Sequence, residues 1–385
     1  VKRAALFLHR WIGLIVGIIV LIEGVTGSIY CFHDEIKDML HQSYRKVEAR
    51  AAEQYILPSA LINHVKNREP DLTISRIMYM GPERSVTVTA KSADGATRAF
   101  YFNPYDGRLL HTTDLDADFF SMVLDLHMYL LLPPKIGKTV IGIANVSFLI
   151  IVLTGIIAWW PKRRQDRKRV FRIKWGAKWK RLNYDLHQVL GFYASLTALL
   201  LIFTGMVFSF DVVKRSVFQI VNAGKGDLAE LSFLPPARTD TTAGDLGQRI
   251  DRAYTYVQGP QPVKSMMWLY APSATLVSIR VRNYPVPLYF DRSDEYTFDL
   301  QGYGVNPRRY KDMSPGKKVV MANYDVHTGQ YFGLIGKVIL FITSLIIASL
   351  PLTGMIIWLS KKRKKNKSNT PKGLLRSPIK QSMHQ

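Results

Sequence analysis

The chain has 385 residues, 48% of them hydrophobic, a single cysteine and a formal net charge of +23. With Cys31 alone, a disulfide framework, a Cys-x-x-Cys redox pair, a thiolate-held iron–sulfur cluster and a Cys-x-x-Cys-His haem attachment are all excluded. Nor is the charge spread over a face as a nucleic-acid-binding protein needs. Eleven Lys/Arg against Asp166 in 161–182, nine beyond Leu359, and Lys2, Arg3 and Arg10 account for +22 of it, all beside apolar segments.

The first element, 1–33, is built on LHRWIGLIVGIIVLIEGVTGSIYCF, longer than the roughly 20 apolar residues that cross a bilayer. It is too long for a cleavable signal peptide, and no small-residue cleavage site precedes His33-Asp34-Glu35. Glu23 stands inside it. A carboxylate is costly in hydrocarbon, so Glu23 is a candidate proton relay, cofactor-propionate neighbour or hydrogen-bond partner of another helix.

A polar block follows over 34–121. Its spacing predicts a helix over 58–68, then strands where LTISRIMYM, RSVTVTAKS and RAFYFNPYDGRLL alternate apolar and polar residues. An interfacial segment and a second apolar helix occupy 122–160, a basic loop 161–182 and a third apolar helix 183–210. The second polar block, 211–323, repeats the first: a helix near 243–257, strands at KSMMWLYAP and ATLVSIRVR, and a Tyr-rich strand near 296–302. An interfacial segment and a fourth apolar helix fill 324–359, and a basic tail runs over 360–385. Basic flanks before the first span, between the second and third, and after the fourth predict an inner-membrane protein. Both termini lie in the cytoplasm and both polar blocks outside.

The halves are copies. LHRWIG…TGSIYCF matches LHQVLG…TGMVFSF, with His9 against His187 and Thr26-Gly27 against Thr204-Gly205. The second and fourth spans align His127 with His327, Ile136-Gly137-Lys138 with Ile335-Gly336-Lys337, and Thr154-Gly155 with Thr353-Gly354. The expected fold is therefore a mostly α membrane protein: four transmembrane helices in two parallel tandem repeats, each repeat carrying a small α+β module. The pseudo-two-fold axis lies along the membrane normal.

Such an axis brings related residues to one depth. His9 then faces His187 at the cytoplasmic side, and His127 faces His327 at the outer side, an arrangement suited to bis-histidine haem ligation between facing helices. His33, at the outer end of the first span, is a third candidate for the two outer axial positions, or a substrate-side group. Small residues follow the ligands at one-turn steps: Gly13 and Gly17 after His9, Gly191 and Ser195 after His187. They admit a flat macrocycle or another helix. The four Thr-Gly pairs are expected to be helix-packing devices. Asp125, Asp185 and Asp325, each two residues before a His, are expected to cap helices.

LHRWIG…TGSIYCFHDEI, a helix–strand block ending YFNPYDGRLL, then LH…IG…LTG…WWPKRR and a second LH…G…TG resemble the PepSY-associated transmembrane family, over essentially the whole chain. Among its members the similarity is to the inner-membrane ferric-siderophore reductase type. The resemblance implies PepSY-like outer modules, two b-type haems and His9, His187, His127 and His327 as iron ligands. It also implies electron transfer across the membrane to a ferric-siderophore, releasing Fe(II). No Gly-x-Gly-x-x-Gly follows a strand, so a quinol or another protein is the expected donor. The alternative is a membrane-anchored PepSY binding module that regulates a peptidase or partner without redox activity. The expected partners are otherwise membrane lipid, and no nucleic acid.

Overall fold

The computed structural model describes residues 1–50, 54–161, 165, 170–233, 235, 245–259, 265–272, 278–300 and 302–368, with side chains to 362. Much of the basic loop, most of the basic tail, the start of the helix expected from 243 and part of the ATLVSIRVR strand lie outside these residues. The elements are α1 (Lys2–Cys31), α2 (His33–Leu40), α3 (Gln42–Arg45), α4 (Pro58–Arg68), β1 (Thr73–Tyr79), β2 (Val86–Lys91), β3 (Thr97–Phe102) and β4 (Leu109–Asp114). Then come α5 (Phe119–Tyr129), α6 (Pro134–Trp159), α7 (Trp179–Ser209), α8 (Asp211–Val221) and α9 (Leu246–Gln258). Strands β5 (Met266–Tyr270), β6 (Ile279–Tyr284), β7 (Asp294–Phe298) and β8 (Val305–Arg308) precede α10 (Pro315–Thr328) and α11 (Gly333–Ser368).

Helices α1, α6, α7 and the α11 region are long and apolar enough to cross a membrane. Helix α1 packs on α6 and α11, and α7 packs on the same two, so α1 and α7 stand across the bundle from each other. Val16 and Val20 of α1, Ala144 of α6, Ala198 of α7 and Ile347 of α11 meet in a buried apolar middle. Close approach there depends on small residues. A Cβ on Gly24 would fall 2.8 Å from the Ser344 carbonyl, and one on Gly17 3.2 Å from Pro351. Gly17 thus admits a neighbouring helix, while a Cβ on Gly13 would meet nothing within 4 Å.

Both polar blocks build one sheet. Its order is β4-β3-β2-β1-β5-β6-β7-β8, antiparallel throughout. Strands β1 and β5 would each be the edge of a four-stranded sheet. Pairing edge to edge satisfies both rows of backbone donors and acceptors, with Ile77 opposite Leu269 and Met78 opposite Trp268. Alternation sends Ile77, Val88, Phe100, Leu269 and Val281 to one face, where Leu61 and Val65 of α4 and Ile250 and Tyr254 of α9 cover them. The opposite, polar face meets the short helices at the ends of the bundle. Tyr44 of α3 stacks on His111, Tyr324 of α10 meets Phe290, and Lys317 of α10 bonds Glu295.

Ion pairs fasten α2 and α3 beneath the sheet. Lys37 bonds Asp118, Arg45 bonds Asp34 and Asp38, and Arg84 bonds Asp38. Burial works against charge on Asp38, but the hydrogen bonds from Arg45 and Arg84 outweigh it and hold the carboxyl below its usual range.

Candidate functional site

Four histidines form two facing pairs, one at each end of the bundle. His9 on α1 and His187 on α7 have ring centroids 6.2 Å apart, and His127 on α5 and His327 on α10 have theirs 6.3 Å apart. Metal–imidazole bonds of about 2 Å on either side of one ion put two ring centroids roughly 6 Å apart. Thr26, which touches His127, lies seventeen residues beyond His9. That places the two pairs about 25 Å apart along α1 at 1.5 Å per residue.

Each imidazole is held through Nδ1. His9 Nδ1 lies 2.9 Å from the Ile151 carbonyl, which can only accept, so His9 donates. The other three meet threonine hydroxyls: His127 with Thr26 at 3.0 Å, His187 with Thr353 at 2.9 Å, His327 with Thr204 at 2.7 Å. Those hydroxyl protons are already given to carbonyls of their own helices, Ile22, Leu350 and Leu200 respectively. Each threonine oxygen therefore accepts the Nδ1 proton, which leaves Nε2 as the bare nitrogen for a metal. Burial lowers the proton affinity of His127 and of His327, with His127 adding to the effect on His327.

Three glycines of the Thr-Gly pairs complete the cradle. A Cβ on Gly27, Gly155 or Gly354 would come within 3.1–3.2 Å of Cε1 of His127, His9 or His187. Gly205 instead faces Asn145. The Thr-Gly pairs expected to be packing devices thus also meet the imidazoles: Thr26-Gly27 and Thr353-Gly354 with both members, Thr154-Gly155 through its glycine and Thr204-Gly205 through its threonine. The seventeen-residue step from His9 to Thr26 and from His187 to Thr204 was visible in the chain, but the threonines' imidazole partners, 101 to 166 residues away, were not.

A second device escaped the sequence reading. Asn-Tyr-Asp-x-His occurs at 183–187 and at 323–327. One turn before each ligand candidate, Asn183 Nδ2 donates to the Thr353 carbonyl and Asn323 Nδ2 to the Thr204 carbonyl, at 3.0 and 3.2 Å. Each Asn–His pair thus grips one threonine at two points. The aspartates of the Asp-x-His triplets are not helix caps. The capping side chains are Asp118 for α5 and Ser314 for α10. Asp185 lies inside α7, bonded to Arg181 and the Lys174 N–H. Asp325 lies inside α10 and accepts from the Phe290 and Asp291 N–H groups. These are docking contacts to other segments, and burial pushes the Asp325 carboxyl up to about 6.

The turn that carries His127 into position is tight. Helix α5 ends on Leu130 and Leu131, both with left-handed backbone (φ 54° and 57°), before Pro133 and Pro134 start α6. Left-handed leucines are strained and persist where the surroundings dictate the conformation. The second half uses Gly329 (φ 79°) at the corresponding helix end.

His33 does not join a pair. Its Nδ1 bonds the Tyr30 carbonyl at 2.8 Å, its Nε2 lies 3.3 Å from Asp34, and its ring stacks on Tyr30. Glu23 does reach the site: Oε2 is 3.5 Å from His127 Nδ1, and Oε1 is buried without a partner among the described residues.

These residues fit a haem held by two axial imidazoles. At each end two imidazoles face each other at the right separation, Nδ1 is used elsewhere, and glycines clear ring edges at His9, His127 and His187. Among the described residues no group of three or more His, Cys, Asp or Glu is set to hold a metal ion by protein ligands alone. No curated protein matches the chain. The family described as the PepSY-associated TM region matches residues 6–361, and the chain belongs to that family.

Proposed function

We propose that the chain is a membrane oxidoreductase with two b-type haems, His9 and His187 holding one and His127 and His327 the other, and that it reduces a ferric-siderophore outside the membrane. Bound haem would supply one-electron redox chemistry at each end of the bundle. The observation that carries the proposal is the pair of facing imidazoles at both ends, each ring fixed through Nδ1. A helix that only anchors a binding module needs none of these.

The protein's own part is positional and electrostatic. Thr26, Thr204, Thr353 and the Ile151 carbonyl keep each imidazole in the tautomer that presents Nε2. The apolar middle at Val16, Val20 and Ile347 keeps water from the space between the two pairs. Glu23 places a carboxyl group beside His127 alone. The sheet stands over the His127–His327 end, so a bulky chelate is met there by folded protein rather than by lipid. A quinol or a partner protein is the proposed donor at the other end.

A reduced-minus-oxidised absorbance spectrum of the purified protein, with a haem assay, tests this. We expect about two low-spin haems per chain, as two bis-imidazole sites require. Haem-free protein would overturn the proposal and favour the binding-module alternative.

The charge pattern gives the proposed orientation. A reporter fused after Leu359 is expected to be active only in the cytoplasm, and one inserted near Asp94, in the turn between β2 and β3, only outside. The reverse pattern would exchange the sides assigned to the two imidazole pairs.

A further inference from the structure

The polar face of the sheet carries more positive charge than its partners neutralise. Register sets Arg76, Tyr270 and Arg280 side by side on β1, β5 and β6. In the next row Trp268 lies beside Arg282, and Arg282 beside Glu295. Glu295 receives Arg282, Arg308 and Lys317 at 3.0, 3.4 and 3.4 Å, one carboxylate against three cations. Among the described residues, Arg76 and Arg280 have no carboxylate within ion-pair distance. Their guanidinium groups lie instead over aromatic rings, Arg76 4.9 Å from the Trp268 centroid and Arg280 5.0 Å from that of Phe233.

Three N–H donors on the same face are buried without a partner among the described residues: Trp268 Nε1, Arg280 Nε and Arg282 Nε. Like charges on adjacent positions of a sheet destabilise it, and so does each buried donor left unpaired. An anion laid on this face would relieve the first. The face is also in the right place. Lys317 and His327 lie on the same helix ten residues apart, about 15 Å along its axis. The cationic rows therefore overlook the His127–His327 end of the bundle.

We propose that this face, centred on Arg76, Trp268 and Arg280, docks a multiply anionic Fe(III) chelate with flat aromatic donors, of the tris-catecholate class. Guanidinium N–H groups of Arg76 and Arg280 would bond the anionic oxygens, and the rings those groups lie over, Trp268 and Phe233, would flank a flat ligand arm. The docking rests on the reductase reading only for its consequence: one electron leaves the reduced protein, Fe(III) becomes Fe(II), and these residues exchange no proton and form no bond.

The test separates binding from reduction. Purified full-length protein is dialysed against Ga(III) tris-catecholate, which cannot be reduced under these conditions, and bound gallium is measured. We expect saturable binding that weakens with added salt and exceeds binding of the uncharged Ga(III) tris-acetohydroxamate. Arg76→Ala and Arg280→Ala should each weaken it about tenfold, the effect of losing one charge-assisted contact. Arg76→Lys and Arg280→Lys, which keep the charge, should recover part of the loss, and a retained haem:protein ratio shows that each variant is folded. Unchanged binding in the alanine variants, or no preference for the anionic chelate, would overturn the docking face. Reduced protein is then mixed with Fe(III) tris-catecholate. Binding without oxidation of the protein would sink the reductase reading and leave the docking face standing. Oxidation that neither substitution slows would do the opposite.

Discussion

Replacing His127 or His327 with alanine is expected to lower the haem content from about two per chain to about one, because each site has only two axial donors. The remaining haem should be the one held by His9 and His187, and His9→Ala or His187→Ala should leave the complementary spectrum. The two pairs use different helix ends, about 25 Å apart, and they share no hydrogen bond. Loss of one therefore need not disturb the other. The His127 and His327 variants should also stop Fe(III)-chelate oxidation of the reduced protein. His33→Ala should keep both haems, since the His33 nitrogens are engaged by the Tyr30 carbonyl and Asp34. Slower turnover with full haem content would agree with a substrate-side role for it. If His33→Ala removes a haem that His127→Ala spares, the symmetric assignment fails and α1 supplies ligands at both ends.

The second large effect is expected from two glycines that touch no ligand. A Cβ on Gly137 would overlap the Tyr129 carbonyl, and one on Gly336 would overlap the Gly329 carbonyl. In both cases the obstacle is backbone at the end of the short helix that carries a histidine, α5 for His127 and α10 for His327. Backbone cannot rotate aside as a side chain does, so the helix must shift. Overpacking of this kind costs about 1–3 kcal/mol, and a shift of 1 Å is enough to spoil axial geometry. Gly137→Ala and Gly336→Ala should therefore lower thermal stability and deplete the His127–His327 haem, leaving the His9–His187 haem in place. Gly176→Ala, where a Cβ would meet nothing within 4 Å, is the control. Full retention of both haems in Gly137→Ala and Gly336→Ala would show that this end of the bundle tolerates the shift.

Much of this was legible in the chain because it is written in local period. Helix α4 falls where the spacing over 58–68 put it, and the alternating runs became β1, β2 and β3. The four apolar runs became the four long helices; α1, α7 and α11 extend past the apolar residues on the basic side because Lys and Arg are good helix formers, while α6 stops at Trp159, just before Pro161. The facing of His9 with His187 and of His127 with His327 was also foreseeable, since the matching sequence stretches led to the expectation that equivalent residues meet.

What the tertiary structure alone decided is the list of partners. No periodicity says that Thr204 holds His327, that Asn183 grips the Thr353 carbonyl, or that Asp325 docks the backbone at 290–291 rather than capping a helix. Nor does it say that β1 and β5 join two polar blocks into one sheet and gather Arg76, Arg280 and Trp268 on one face. A side chain's spacing along the chain follows from the geometry of its own helix or strand. Its hydrogen-bond partner comes from another element, and that choice is made only when the elements pack.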